Sequence, residues 1–146
     1  MKKLLTVTLL LLALNISAQQ KHRDRIKALK IAVITENLDL TTKEAQQFWP
    51  IYNANEKEMS AIKSKEIKTI KKEIRAHMDT MTDDKATALL NRLNNAETQM
   101  HKLRMDLTKK LSEIISSKKI IKLKIAEEDF RRRMLQEYKK RKKAEH

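Results

Sequence analysis

The side chains with the clearest capacity for chemistry are the histidines and methionines that flank residue 80. His77, Met78 and Met81 form one group, and Met100-His101 forms a second group further along the chain. Imidazole and thioether ligands suit copper or nickel, so a site for a soft metal ion is one interpretation. The alternative is that Met59, Met78 and Met100 fill irregular space in an apolar core.

The composition excludes most other kinds of reaction centre. The chain has 146 residues, with no Gly, no Cys and one Pro. The lack of Cys rules out disulfides and thiolate metal sites, and the lack of Gly disfavours P-loops, dinucleotide-binding loops and tight β-hairpins. No Ser, His and Asp set is placed to form a nucleophilic site. We therefore expect an all-α protein that is not an enzyme and that has no cofactor.

The first eighteen residues have the order of an export signal. Lys2 and Lys3 precede an apolar run over 4–14, and Ala18 is a small residue before the polar pair Gln19-Gln20. The run is shorter than the ~20 residues that span a bilayer. We expect residues 1–18 to be a cleaved signal peptide. Export makes nucleic acid an improbable partner, even though the net charge is +14.

The remaining residues show the spacing of four helices. Apolar residues recur every three or four positions over 20–38, 42–79, 82–114 and 117–138. In the last of these helices the inner face is expected to include Tyr138. Residues 139–146 are strongly basic, and we expect them to fray as a tail beyond the helical domain over 19–138.

The lengths of these helices predict an elongated antiparallel hairpin with two shorter flanking helices. A helix over 42–79 would be about 57 Å long at ~1.5 Å per residue, and the short connection after it requires the next helix to run back. Such a hairpin buries its apolar stripe only partly, so we expect a homodimer that forms a cradle, or an open concave face. His77 and His101 would lie about 24 Å apart along the hairpin. No metal site is therefore predicted, with His77, Met78 and Met81 as secondary candidates.

Pro50 interrupts the first long helix and is surrounded by aromatic residues. It removes one backbone hydrogen bond and its ring presses on the carbonyl of Gln46, so a kink is expected there. Phe48, Trp49 and Tyr52 lie beside it. One interpretation is that Phe48 and Tyr52 anchor the helix over 20–38 against this kinked helix. The other is that the bend curves the molecule and Trp49 contributes to a binding face.

Two short motifs mark helix starts. Leu40, Thr41 and Glu44 have the spacing of a hydrophobic residue, an N-cap and the partner that completes a capping box. Met81 and Thr82 begin a second copy, in which Lys85 offers only hydrogen-bond donors and cannot act as that partner. These residues are therefore expected to be structural.

The chain resembles the Spy/CpxP family of bacterial periplasmic proteins, which carries an LTxxQ motif. The resemblance is to the branch described as sensors of extracytoplasmic-function sigma factors, and Glu44 stands where the family pattern has Gln. It implies a periplasmic location and a curved hairpin that dimerises. It also implies an ATP-independent chaperone or an envelope-stress adaptor, or alternatively a regulatory or metal-responsive sensor. The matching residues are Leu40, Thr41, Glu44, Phe48, Trp49, Pro50, Tyr52, Met81, Thr82 and the segment over 126–135.

Basic residues are concentrated in two stretches that form the candidate binding surface. Each lysine alone is best explained as a solvated side chain. Together they could attract acidic, partly folded envelope proteins, a membrane-bound stress-signalling protein or an anionic membrane surface. The candidates are Lys63, Lys68, Lys71, Lys72 and Arg75 in the first stretch, and Arg131, Arg132 and Arg133 in the second.

Overall fold

The protein is all-helical in the part of the chain that the structure describes. The computed structural model describes residues 24–144, so the signal peptide predicted for residues 1–18 and the end of the basic tail lie outside it. No strand occurs within that range, which confirms the all-α fold class. The helices are α1 (24–38), α2 (Thr42–Ala61), α3 (Lys68–His77), α4 (Asp83–Ser112) and α5 (Ser117–Ala144), with a π-helical segment at Ile62–Ile67 and a 3₁₀ turn at Met78–Thr80.

The helices group into two compact units. One unit is Leu40–Ile120, and the other combines the described residues 24–39 with those from Ile121 onward. The first unit contains α2, the π segment, α3, α4 and the first turn of α5. None of the helices in the described part combines the length and the hydropathy needed to cross a bilayer.

The first unit contains the antiparallel hairpin that helix length predicts. The Asn55 side chain on α2 donates a hydrogen bond to the Leu103 carbonyl on α4 over 2.8 Å. Glu66 and Glu73 lie progressively further along the first arm, and their partners Arg92 and Lys85 lie progressively earlier on α4. The first arm consists of α2, the π segment and α3. Residue numbers rise along this arm by the same amount as their partners' numbers fall along α4, so the two arms are antiparallel. Helix α2 continues through Pro50, and the kink expected there stays a prediction.

The π-helical segment keeps apolar side chains directed toward the core of the hairpin. The expectation of one α-helix over 42–79 with a spacing of three or four residues is wrong here, because Ile62 and Ile67 lie five positions apart and the chain is π-helical between them. A π turn accommodates one extra residue per turn. Ile62 and Ile67 are consequently both half-buried, whereas Glu66 is exposed. The segment therefore keeps the aliphatic stripe aligned between α2 and α3.

The core of the first unit is aliphatic with one aromatic pair. Phe48 and Tyr52 are buried on α2, and no charged or strongly polar side chain is buried in the described part. Because fully burying a large apolar side chain contributes about 1.5–3 kcal/mol, these residues dominate the stability of the hairpin. The other buried residues of this unit are Met59, Ile70, Leu89, Ala96, Leu111, Ile115 and Ile120.

The second unit is built from α1 and most of α5. Asp39 directly follows helix α1 and has φ 46°. This left-handed conformation is usually taken by Gly at helix ends, and Asp is one of the few other residues that tolerates it. The buried side chains are Ile34, Leu38, Leu123, Ala126 and Phe130.

Helix α5 differs from the expected last helix in two respects. It reaches Ala144 and has 28 residues, close to the 30 of α4, because the basic segment after residue 138 continues the helix. The prediction that Tyr138 lies on the inner face is wrong, since its side chain is 66% exposed. Apolar residues recur along α5 as far as Tyr138, but the last buried side chain in the described part of this helix is Phe130.

Candidate binding surfaces

Glu44 connects the start of α2 to the start of α5. The Glu44 backbone N–H donates to the Thr41 hydroxyl over 3.2 Å, and the Thr41 backbone N–H donates to the Glu44 carboxylate over 2.7 Å. These reciprocal bonds form a capping box. Lys119 donates to the same carboxylate over 2.7 Å. The hydrogen bond from Lys119, followed by that from the Thr41 backbone, lowers the pKa of Glu44 below its ordinary value. Thr41 and Glu44 therefore have a structural function at the start of α2.

At the second motif, Met81-Thr82, the N-cap makes one hydrogen bond and is not part of a capping box. Lys85 of the same turn forms an ion pair with the other arm of the hairpin. Thr82 accepts a hydrogen bond from the Lys85 backbone N–H over 3.4 Å. The Lys85 ammonium pairs with Glu73 on α3, and Arg92 pairs with the same carboxylate over 3.2 Å. The hydrogen bond from Lys85 is the main cause that lowers the pKa of Glu73. Lys85 thus joins the two arms of the hairpin close to the turn.

The aromatic residues beside Pro50 form a compact group on α2. The Phe48 and Tyr52 rings stack with their centroids 5.3 Å apart, and the Trp49 ring meets both edge-on. Phe48 and Tyr52 are buried, and Trp49 is half-buried. Two of the three rings therefore serve packing, and Trp49 is the one that retains substantial contact with solvent. Leu40, which precedes the cap, is also half-buried.

The metal candidates lie at the hairpin turn. His77 is the last residue of α3, Met78 begins the 3₁₀ turn and Met81 follows that turn. The expectation that Met78 fills the core is wrong, because its side chain is 62% exposed. Helix α3 ends at His77, so Met78 does not continue the buried apolar face of that helix. Among residues 24–144 no three His, Cys, Asp or Glu side chains come together as a metal-binding group.

Four basic residues of α3 lie on one exposed face, which we call the cationic face. Lys68, Lys71, Lys72 and Arg75 follow the i, i+3, i+4, i+7 spacing of a single helix face. Ile70 is buried on the opposite side. All four are exposed, and within the described range none of them is paired with a carboxylate. The cationic face is therefore available to an anionic partner.

The other predicted basic residues have different surroundings. Lys63 is exposed on the π segment that precedes the cationic face. On α5, Arg131 pairs with Glu128 over 3.7 Å and Arg132 pairs with Asp129 over 2.7 Å. Arg133 is exposed on the same helix. Lys63 extends the basic stretch of the first unit, whereas the arginines of the second unit are partly neutralised by their own helix.

The spacing of acidic residues in the sequence predicts which basic residues are paired, whereas the net charge of each stretch does not. Acidic residues precede Arg131 and Arg132 by three positions, which is the spacing at which helical side chains pair. On α3 the nearest acid is Glu73, which lies on the half-buried side and pairs with α4. The two basic stretches therefore differ in whether their cations are paired with carboxylates, and not in the number of cations.

Comparisons with known proteins found no match to this chain among family models, curated proteins or solved structures.

Proposed function

We propose that this chain is a helical binding protein of the Spy/CpxP type that acts in the periplasm as an ATP-independent chaperone or envelope-stress adaptor. It would bind acidic, partly folded envelope proteins, which we call clients, through the cationic face of α3. The observation that carries the proposal is that the four cations of this face are exposed and unpaired on one side of a helix.

The physical basis is charge attraction followed by weak apolar contact. Unpaired surface cations raise the rate at which acidic chains arrive, and this effect weakens as salt shortens the screening length to about 10 Å at 0.1 M. Met78 lies three residues after Arg75 and is exposed. A flexible thioether next to the cationic face suits the loose holding of varied apolar segments.

An aggregation assay tests the chaperone activity. A reduced acidic client is allowed to aggregate with the secreted chain, with a variant that replaces the cationic face by Gln, and with a control variant of equal charge loss. The cationic-face variant is K68Q/K71Q/K72Q/R75Q. The control is K57Q/K102Q/R104Q/K109Q, which changes four exposed residues elsewhere in the same unit.

We expect the secreted chain and the control to suppress aggregation, and the cationic-face variant to suppress it weakly. Suppression should decline as salt is raised. If the secreted chain suppresses aggregation at no ratio, the chaperone proposal is wrong. If both variants lose activity equally, net charge rather than the cationic face is responsible.

The alternative function is a regulator that holds one membrane-bound signalling partner and releases it under stress. Pull-down from envelope extracts separates the two functions, because a chaperone captures many clients weakly and a regulator captures one partner stoichiometrically. Calorimetry with copper, zinc and nickel tests the metal-responsive form of the regulator. The mass of the secreted product tests the location, since cleavage after Ala18 removes residues 1–18.

A further inference from the structure

A groove with an apolar floor runs between α2 and α4 in the first unit. Its volume is about 460 Å³, which is within the usual range of about 300–1,000 Å³ for binding pockets. Ile51 on α2 and Leu103, Leu107 and Ile114 on the other side line it and are only half-buried. These aliphatic side chains remain partly accessible to solvent.

The rim of this groove has the opposite charge to the rest of the protein. Glu58, Asp106 and Glu113 line it, together with a single cation, Lys110. Lys110 pairs with Asp106 over 2.7 Å, and this hydrogen bond is the main cause that raises the pKa of Lys110. Glu58 also raises the pKa of Lys110 through its charge. The rim still carries three carboxylates against one cation, so it is net acidic on a chain whose net charge is +14. An occupant should be aliphatic in the middle and cationic at its edges.

Helix α5 has a surface of that composition. Ile121 and Ile125 are 59% and 56% exposed, and their i, i+4 spacing places them one turn apart on the same face. The exposed residues Lys118 and Lys122 lie on one side of this face, and the exposed Lys124 lies on the other side. Helices commonly bind grooves through apolar anchors at this spacing.

We propose that the groove between α2 and α4 binds the Ile121–Ile125 face of α5 from a second copy of the chain. The two isoleucines occupy the aliphatic floor, and the flanking lysines meet Glu58 and Glu113. Complementary charge favours this pairing, because contacts between the basic surfaces of two copies bring like charges together. This interface is separate from the cationic face of α3, so either proposal can fail without the other.

Charge reversal on each side tests the interface. The dimer dissociation constant of the secreted chain is measured by sedimentation, with circular dichroism to verify helicity. The groove variant is E58K/E113K, and the α5 variant is K122E/K124E. We expect each to weaken the dimer by about tenfold or more, and we expect the chain that carries all four changes to regain much of the lost affinity.

A control variant, E36K/E97K, makes the same charge change at two exposed positions outside the groove. We expect its dimer to be affected much less. A monomeric secreted chain, or groove and α5 variants that dimerise as well as the unchanged chain, would overturn the proposal. It is also overturned if the combined variant dimerises more weakly than either partial variant, because complementary charges must compensate one another.

Discussion

Lys119, in the first turn of α5, donates a hydrogen bond to Glu44, in the first turn of α2, over 2.7 Å. Glu44 also accepts the Thr41 backbone N–H and so completes the capping box. A single carboxylate therefore caps one helix and fixes the start of another within the same unit. The bond to Lys119 is partly buried, whereas the bond from the Thr41 backbone is exposed.

Removal of the Thr41 hydroxyl should destabilise the hairpin. Thr41→Ala removes the acceptor for the Glu44 backbone N–H, and loss of such a cap costs about 1 kcal/mol. Thr42→Ala is the matched control, because Thr42 lies inside α2 and alanine has the higher helix propensity. Urea unfolding followed by circular dichroism measures both. Equal stability of the two variants would show that the capping box contributes nothing.

The stability of the protein should fall in acid partly through Glu44. The pKa of Glu44 is lowered in the folded state and returns to about 4.5 when the chain unfolds. As the pH falls through that value, the unfolded state binds the proton first, so stability declines until the pH is below the folded-state pKa. Glu44→Gln retains an acceptor for the cap and cannot titrate.

Thermal unfolding between about pH 6 and pH 3 tests this linkage. We expect Glu44→Gln to be less stable than the unchanged chain near neutral pH, and the difference to shrink in acid. A constant difference over the whole range would mean that the pKa of Glu44 is the same in both states. Glu73 should behave in the same way through Lys85.

The π-helical segment should tolerate the loss of one residue. Deletion of Lys65 shortens the spacing from Ile62 to Ile67 to the four residues of an ordinary α-helix, so the aliphatic stripe stays aligned. Deletion of Asn53 from α2, which is regularly α-helical, rotates all preceding side chains by about 100° relative to the core. We expect the first deletion to lower the urea midpoint much less than the second. The opposite order would contradict the proposed role of the π turn.

The hydrogen bond from Asn55 to the Leu103 carbonyl should contribute to the register of the hairpin. It is partly buried, and a typical hydrogen bond of this kind contributes about 1 kcal/mol. Asn55→Ala should therefore be about 1 kcal/mol less stable than Asn53→Ala, which removes an exposed side chain from the same helix. Identical free energies of unfolding for the two variants would exclude this contribution.

Local features of this fold could be predicted from the sequence, and long-range ones could not. Thr41 and Thr82 mark helix starts because a cap depends only on residues within one turn. The partner of Glu44 lies 75 positions away, and no local pattern points to Lys119. The spacing of Met78 predicts a core position, but its side chain is 62% exposed because α3 ends one residue earlier, at His77.

The candidate binding surface was only partly predictable for a similar reason. Exposure of the basic residues follows from helical periodicity, so Lys68 and Arg75 could be placed on one face. The acidic rim of the groove could not be found this way, since Glu58 and Glu113 come from different helices. Their proximity depends on the register that the hairpin adopts, which a single sequence does not reveal.

The affinity for an acidic, partly unfolded client at two salt concentrations tests the central proposal most directly. Fluorescence anisotropy with a labelled client gives the dissociation constant of the secreted chain, of K68Q/K71Q/K72Q/R75Q and of K57Q/K102Q/R104Q/K109Q. At low salt we expect the cationic-face variant to bind about tenfold more weakly than the control and to lose most of its salt dependence. Binding by that variant as tight as that of the unchanged chain would contradict the account.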